Sequence, residues 1–182
     1  MKKYEFTGET KRVELWNRTA TLHRIKATVE FGFVKVGELG GWIEKEENLS
    51  HEGKAWVCGD ANVCGNAKVC GDANVCGNAK VWGNAKVCGD AKVWGNAEVW
   101  GNAEVFLASH VLVMGSVGSR NDFTTFFRDK DNEITVKCGC FLGKIDKFLE
   151  KVTQTHGNNK YALVYRAAVE VAKLQIELTE RK

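Results

Sequence analysis

Cysteine is the residue type in this sequence best able to do chemistry on its own, and five of its seven cysteines recur at multiples of six residues. These five are Cys58, Cys64, Cys70, Cys76 and Cys88. Thiols can form disulfides, bind metals or act as nucleophiles. An odd total at repeat spacing does not suit a disulfide framework, so the pattern favours free thiols in a reducing compartment. The pairs Cys58/Cys76 and Cys70/Cys88 would still come within disulfide distance if residues three repeats apart stack.

Few other groups are spaced for catalysis or metal binding. Cys138-Gly-Cys140 with His156 is a weak metal candidate, because no second cysteine pair accompanies it. His51 and His110 are the only histidines of the repeat region, fewer than a zinc site of the three-histidine kind needs. No Ser-His-Asp set, phosphate loop or paired-carboxylate site stands out. We therefore expect no metal, no cofactor and no catalytic residue.

The cysteines belong to a six-residue repeat, V-x-G-[D/N]-A-x, in which Val recurs without a break from 57 to 117. A period of six is neither the 3.6 of a helix nor the 2 of a simple strand. We predict a four-residue strand A-x-V-[C/W], with Ala and Val inward and the other two positions outward. Gly with Asp or Asn would form the corner. Three such units would close one triangular coil, so the chain would complete a turn every three repeats.

This repeat resembles that of hexapeptide-repeat proteins, and the match covers about 57–118. The resemblance implies a left-handed parallel β-helix of about four coils. Ile43 and Leu49 are six residues apart, and Leu49 to Val57 is eight. A two-residue bulge between Leu49 and Val57 would bring Ile43 and Leu49 into the same six-residue phase as the repeat valines. We therefore expect the coils to begin near Gly41.

Residues three repeats apart should stack into outward columns, which group the aromatic and charged residues. We predict eight binding residues: Trp82, Trp94, Trp100, Phe106, Lys80, Lys86, Lys92 and His110. Lys80 should pair with Glu98 and Lys86 with Glu104 across adjacent strands. A soluble monomer rarely leaves so much apolar surface uncovered. Three coverings stay open: a second copy of the chain, its own C-terminal segment, or another molecule.

The flanks of the repeat predict two further units, so the fold class is mainly β with three parts: 1–40, 41–118 and 119–182. The first is a small β cap, in which 21–31, YEFTG and RVELW form strands. The last is an α+β unit, in which DFTTFF and EITVKC form a hairpin. Two helices at about 145–155 and 159–179 follow it.

Composition excludes several classes of protein. The net charge of the 182 residues is only +3, which gives no general electrostatic case for binding nucleic acid. The N-terminus MKKYEFTGETK lacks the apolar stretch of a signal peptide, and no window has the apolar length of a membrane span. We expect a cytoplasmic protein.

The flanking sequences add a second resemblance. The runs LHRIKATVEFGFVKVGELGGWIEKEENLS and ITVKCGCFLGKIDKF, with THGNNKYA, look like those of bacterial and bacteriophage hexapeptide-repeat proteins of poorly defined activity. The resemblance implies a phage or prophage origin and, for a phage protein, the host cytoplasm. We therefore predict a non-catalytic counter-defence inhibitor, a homodimer or homotrimer, that docks a host protein or sequesters a nucleotide signal. Two alternatives stay open: an acyltransferase using acyl-CoA, and a structural self-assembling protein.

Overall fold

A β-solenoid of about four turns forms the centre of the molecule. The structure is a computed structural model that describes residues 2–15 and 17–178. The strands of the solenoid are β3 (Leu39–Ile43), β4 (Trp56–Val57), β5 (Asn62–Val63), β6 (Lys68–Val69), β7 (Asn74–Val75), β8 (Lys80–Val81), β9 (Lys86–Val87), β10 (Lys92–Val93), β11 (Glu98–Val99) and β12 (Glu104–Val105). The elements before it are β1 (Tyr4–Glu14) and β2 (Thr19–Ala27). Those after it are β13 (Val111–Val117), β14 (Asp122–Arg128), β15 (Ile134–Cys138), β16 (Phe141–Lys144), α1 (Ile145–His156) and α2 (Lys160–Gln175).

Three parallel ladders make the three faces of the solenoid. Their strand orders are β3-β5-β8-β11, β4-β7-β10 and β6-β9-β12. From β4 to β9 each strand pairs with the strand three repeats later, as Asn62 pairs with Lys80, which confirms the predicted coil length. In the first coil Ile43 pairs with Val63 rather than with Ala61, so the predicted two-residue bulge is also confirmed.

Small inward side chains fill the solenoid. The repeat alanines from 55 to 103 and the repeat valines from 57 to 105 are each at most 1% exposed. The corners need glycine for its backbone conformation and for its lack of a side chain, and Gly71 illustrates both reasons. Its φ of 68° is a conformation that L side chains rarely adopt, and a Cβ there would lie 2.8 Å from the backbone nitrogen of Gly89. Glycine therefore lets successive corners stack at the spacing of parallel strands.

The N-terminal hairpin caps the first coil, as predicted. β1 and β2 pair antiparallel, and β2 continues onto β3, so the hairpin extends one face of the solenoid. Tyr4 and Ile25 are buried in the same core as the repeat valines. The two short strands predicted from YEFTG and RVELW are one strand, β1, with an irregular register between Phe6 and Thr10. Trp16, the last residue of RVELW, lies outside the described residues.

The coils end at β12, earlier than the predicted position near 118. Val111 and Val117 lie in β13, which pairs antiparallel with β14. His110 was predicted to point outward, but it is only 3% exposed, and its Nδ1 accepts the backbone N–H of Phe106 at 3.2 Å. The physical reason is the corner. The Gly-Asn pair that should follow Val105 by two residues is replaced by Leu107-Ala108, and a short 3-10 turn leads the chain away.

The C-terminal unit is a four-stranded antiparallel sheet packed against two helices. The predicted hairpin is β14 and β15, and β13 and β16 flank it. Phe126, Val136, Phe148 and Tyr165 share its core. α1 ends before Gly157, as predicted, whereas α2 ends at Gln175, short of the predicted 179. Among the described residues, no helix combines the length and apolar character needed to cross a membrane.

Four of the repeat cysteines form disulfides, so the prediction of free thiols is wrong for them. Cys58 is bonded to Cys76 and Cys70 to Cys88, with Cα atoms 4.7 Å and 4.5 Å apart. Parallel strands hold residues of adjacent coils at a separation that a disulfide spans. Each bond therefore ties one coil to the next on the same face.

A thiol assay tests this pairing. We expect three thiols in the denatured, unreduced chain, those of Cys64, Cys138 and Cys140, and seven after reduction. In the folded protein Cys140 should react first, because it is exposed, whereas burial raises the pKa of Cys64 to about 12. Seven thiols in the denatured chain before reduction would contradict the two disulfides.

Candidate functional site

The eight predicted binding residues fall on three different faces of the solenoid. Lys80, Trp82 and Trp100 lie together on the face of β8 and β11. Lys92 and Trp94 lie on the face of β10, where Trp94 is 54% exposed with the Lys92 Nζ 5.3 Å from its ring centroid.

The remaining three residues belong to the face of β9 and β12. Lys86 pairs there with Glu104 at 3.0 Å, as predicted. Phe106 is half-buried under the guanidinium of Arg128, 5.6 Å from its ring centroid, and His110 is buried next to it. The structure therefore brings together only the first group, around Trp82 and Trp100.

Trp82 and Trp100 stack across adjacent coils. Their ring centroids are 4.7 Å apart with planes 25° from parallel, and both side chains are half-buried. The N-terminal hairpin covers the start of this column, so Cys64 is fully buried, and Leu15 packs in the same cluster as Trp82. From the other side, the Lys137 Nζ lies 4.4 Å from the Trp100 ring centroid. Both flanks of the chain thus contribute to covering this aromatic column.

Two clefts open beside the tryptophan stack, and both indoles line each of them. The N-terminal cleft, of about 420 Å³, is bounded by Leu15, Arg18 and Glu44. The C-terminal cleft, of about 670 Å³, is bounded by Lys80, Glu98, Arg120, Phe123 and Lys137. The stack therefore forms a wall common to two recesses.

The N-terminal cleft is walled by an ion pair and an amide ladder. The Arg18 guanidinium donates to the Glu44 carboxylate at 2.7 Å, and Glu44 also accepts the N–H of Gly65 at 2.7 Å. The hydrogen bond from Arg18 holds the pKa of Glu44 below its ordinary value. Asn66 donates to Asn84 at 3.3 Å, and Asn84 donates likewise to Asn102, so the three amides form a ladder along one corner of the solenoid. This cleft is consequently polar along one edge and aromatic along the other.

In the C-terminal cleft, Glu98 holds two ammonium groups. Its carboxylate lies 2.9 Å from the Lys80 Nζ, as predicted, and 2.9 Å from the Nζ of the buried Lys137. Burial alone would raise the pKa of Glu98, but the two lysines outweigh that effect and hold it below its ordinary value. Glu98 thus neutralises much of the charge that the two lysines bring.

The pH dependence of stability should report on this cluster. A carboxyl whose pKa is lowered by folding stabilises the protein above its unfolded value and loses that contribution as the pH falls through the folded value. Glu98→Gln should cost about 2 kcal/mol at pH 7, since it leaves buried Lys137 without its acid. The difference from the wild type should shrink on acidification below the ordinary pKa of 4.5.

Denaturant unfolding at several pH values measures that difference, and Glu104→Gln is the matched control on the next face. The control should cost less. The Lys86 side chain is 54% exposed, and the 12% exposed Arg128 lies 3.9 Å from Glu104, whereas the 6% exposed Lys137 lies 2.9 Å from Glu98. Equal costs, or a difference that does not change with pH, would contradict the coupling.

Three polar groups of the two clefts have no partner among the described residues. The Nε1 donors of Trp82 and Trp100 are buried without a hydrogen-bond acceptor there. The indole N–H groups of Trp42 and Trp56, which line neither cleft, are also buried without a partner, so this feature does not mark the site. Arg120 is exposed and, unlike Lys80 and Lys137, pairs with no acid in the described part of the chain. It is the cation of the C-terminal cleft that is free to meet an anion.

The histidine and metal candidates lie apart from this site. Nδ1 of His51 accepts the N–H of Lys3 at 3.0 Å, and Nε2 lies 2.7 Å from Glu46, so His51 belongs to the N-terminal cap. Cys138 accepts a hydrogen bond from the hydroxyl of Thr124 at 3.2 Å. In the described ranges, no three side chains of His, Cys, Asp or Glu gather as a metal site requires.

Arg18, Arg120 and Lys137 are site residues that sequence reasoning missed. The alternation of apolar and polar residues in EITVKC places Lys137 on the face of the strand opposite Val136. This alternation is the one sequence signal that could have pointed to Lys137. No models of known protein families match this chain, and no relative is found among curated proteins. The site is therefore interpreted from its own geometry.

Proposed function

We propose that this is a non-catalytic binding protein that sequesters a small nucleotide-like anion against the Trp82–Trp100 stack. The observation that carries the proposal is this stack itself, a pair of indoles lining two clefts and held in place by both flanks of the chain. Aromatic side chains bind nucleobases by stacking, and they do so without needing a particular base.

The size of the clefts favours a small molecule over a protein partner. Ligand pockets typically enclose about 300–1,000 Å³, and both clefts lie in that range. A protein-docking surface would instead expose its aromatic anchors. Among the three predicted tryptophans only Trp94 is exposed, whereas Trp82 and Trp100 are half-buried. Of the two predicted targets, a host protein or a nucleotide signal, the geometry therefore supports the nucleotide better.

The charges of the site limit the kind of nucleotide. Glu98 pairs with both Lys80 and Lys137, and Glu14 and Asp122 also line the cleft, so its three acids balance its three cations. Arg120 is the cation of this lining that pairs with no acid among the described residues and is available to a phosphate. A guanidinium binds a phosphate through two parallel hydrogen bonds. One such group suits a monophosphate or a phosphodiester better than the clustered charge of a triphosphate.

The biological setting rests on the resemblance of the sequence alone. Within a phage or prophage context, a protein that holds a host nucleotide signal without altering it would silence the defence activated by that signal. Sequestration of this kind needs affinity, and it needs no base or nucleophile.

A thermal-shift screen tests the proposal against the acyltransferase alternative. The panel contains nucleoside monophosphates, cyclic mononucleotides, cyclic dinucleotides, ATP and coenzyme A. We expect a monophosphate or cyclic nucleotide to raise the Tm by several degrees, because ligand at 100 times its Kd stabilises the folded state by about 2.7 kcal/mol. The nucleotide should be recovered chemically unchanged. No shift with any nucleotide, or a shift with coenzyme A alone, would overturn the proposal.

A further inference from the structure

One of the three ladders of the solenoid ends without a further strand. β10 is the last strand of the ladder β4-β7-β10, and in the described part of the chain no strand pairs with its outer edge. The C-terminal unit extends the other two ladders. The N–H of Glu98 in β11 donates to the Thr125 hydroxyl at 3.0 Å, and the N–H of Lys130 donates to the carbonyl of Asn102 beside β12 at 3.0 Å. The outer edge of β10 is therefore the open end of one face.

The backbone at this edge lacks the coil that it would pair with. In the coil below, the N–H of Cys76 donates to the carbonyl of Val93 at 3.0 Å. The equivalent N–H of β10 belongs to Trp94, and no further coil follows to accept it. The adjoining corner is open as well, since a Cβ on Gly95 would meet no atom within 4 Å. An exposed strand edge is a template for pairing with another chain.

The charges at this edge follow a pattern that the other two faces complete. One coil carries Lys80, Lys86 and Lys92 at its three outward strand positions. In the next coil Glu98 lies 2.9 Å from the Lys80 ammonium, and Glu104 lies 3.0 Å from that of Lys86. No strand follows above Lys92 to supply a third acid. Lys92 is thus the member of this set whose place in the ladder has no acid above it.

The aromatic side chains follow the same pattern. Trp82 and Trp94 occupy the same position on two faces of one coil. Trp82 is half-buried with Trp100 of the next coil stacked on it, whereas Trp94 is 54% exposed. A strand that extended this face would therefore place an acid over Lys92 and an aromatic ring over Trp94.

We propose that the outer edge of β10 binds an extended segment of another protein that carries glutamate, an aliphatic residue and an aromatic residue in that order. The segment adds a parallel strand, so that its glutamate pairs with Lys92, its ring stacks on Trp94 and its backbone accepts the Trp94 N–H. This chain has two such segments, EVW at 98–100 and EVF at 104–106, and both already belong to its own ladders. The segment therefore comes from a partner protein.

This surface is separate from the proposed nucleotide site. Lys92 and Trp94 line neither of the two clefts. Loss of peptide binding should consequently leave nucleotide binding unchanged, and failure of either proposal leaves the other standing.

The probe is a peptide of sequence NAEVWGN, blocked at both ends, which copies residues 96–102 of this chain. We expect a Kd of about 0.1–1 mM in an NMR titration, because one short strand adds few hydrogen bonds. The backbone amide signals of Lys92 and Trp94 should shift most. The reversed peptide NGWVEAN has the same composition and should bind at least about 10-fold more weakly, since it cannot form the parallel pairing in register.

A charge exchange tests the pairing with Lys92. Lys92→Glu should weaken binding of the peptide at least about 10-fold, and the peptide NAKVWGN should bind this variant within about threefold of the original pair. Lys68→Glu is the matched control, because it makes the same change on a face whose ladder continues, and it should bind NAEVWGN as the wild type does.

Three results would overturn the proposal. They are a titration that shifts no signal of β10, equal binding of the reversed peptide, and no recovery of binding in the charge exchange. Self-association of the wild-type chain that Trp94→Ala abolishes would overturn it too, because a second copy would then cover this edge.

Discussion

Trp100→Ala is expected to weaken binding of the best-stabilising nucleotide by about 10- to 100-fold, the effect typical of removing one stacking platform. Trp100 stacks on Trp82 and lies under the Lys137 ammonium, so its loss removes an aromatic surface from both clefts. It also leaves Trp82 without the ring that holds its plane. Replacing both tryptophans should abolish measurable binding in a calorimetric titration.

Trp94→Ala is the matched control for this prediction. It removes the same ring from an exposed position on another face of the solenoid, where no part of the proposed site lies. The control should bind the nucleotide with unchanged affinity. If Trp94→Ala weakened binding as much as Trp100→Ala, the ligand would lie on the exposed face, and the proposed site would be wrong.

Val69→Asn is expected to unfold the solenoid or nearly so. Val69 is 1% exposed inside a core of alanines and valines, where an amide finds no partner. The lost apolar burial and the unpaired amide together cost about 4 kcal/mol or more, a large share of the stability of an ordinary domain. Denaturant unfolding followed by circular dichroism measures the loss.

The neighbouring Lys68→Asn supplies the control for Val69→Asn, because Lys68 is the outward residue of the same two-residue strand. Asparagine already occupies the equivalent outward position in the two neighbouring repeats, as Asn62 and Asn74 show. The control should therefore unfold at the wild-type denaturant concentration. Similar losses in the two variants would contradict the assignment of inward and outward positions.

The inside of the solenoid could be predicted because its constraints are local and periodic. A six-residue period, small residues at one phase and glycine at the corner leave one arrangement that buries Val and Ala together. The end of the solenoid was predicted wrongly because Val111 and Val117 keep the period after the corner residues have gone. The corner, rather than the valine, decides whether another coil forms.

The site was only partly predictable from the sequence. Stacking of every third repeat correctly paired Lys80 with Glu98, since both lie on regular coils. Arg120 and Lys137 come from the C-terminal unit, and their positions depend on how that unit packs against the coils. Such packing joins residues far apart in the sequence and leaves no periodic signal. The disulfides were missed for another reason. The odd number of cysteines and the expected reducing compartment were given more weight than the short distance between cysteines on adjacent coils.

A crystal structure of the chain with its best-stabilising nucleotide would show where the ligand binds. We expect the base within about 4 Å of Trp82 or Trp100, the distance of van der Waals contact. We also expect a phosphate oxygen at hydrogen-bond distance from the Arg120 guanidinium. A nucleotide bound elsewhere, for example against Trp94, or a saturated complex that leaves both clefts empty, would contradict the proposed site.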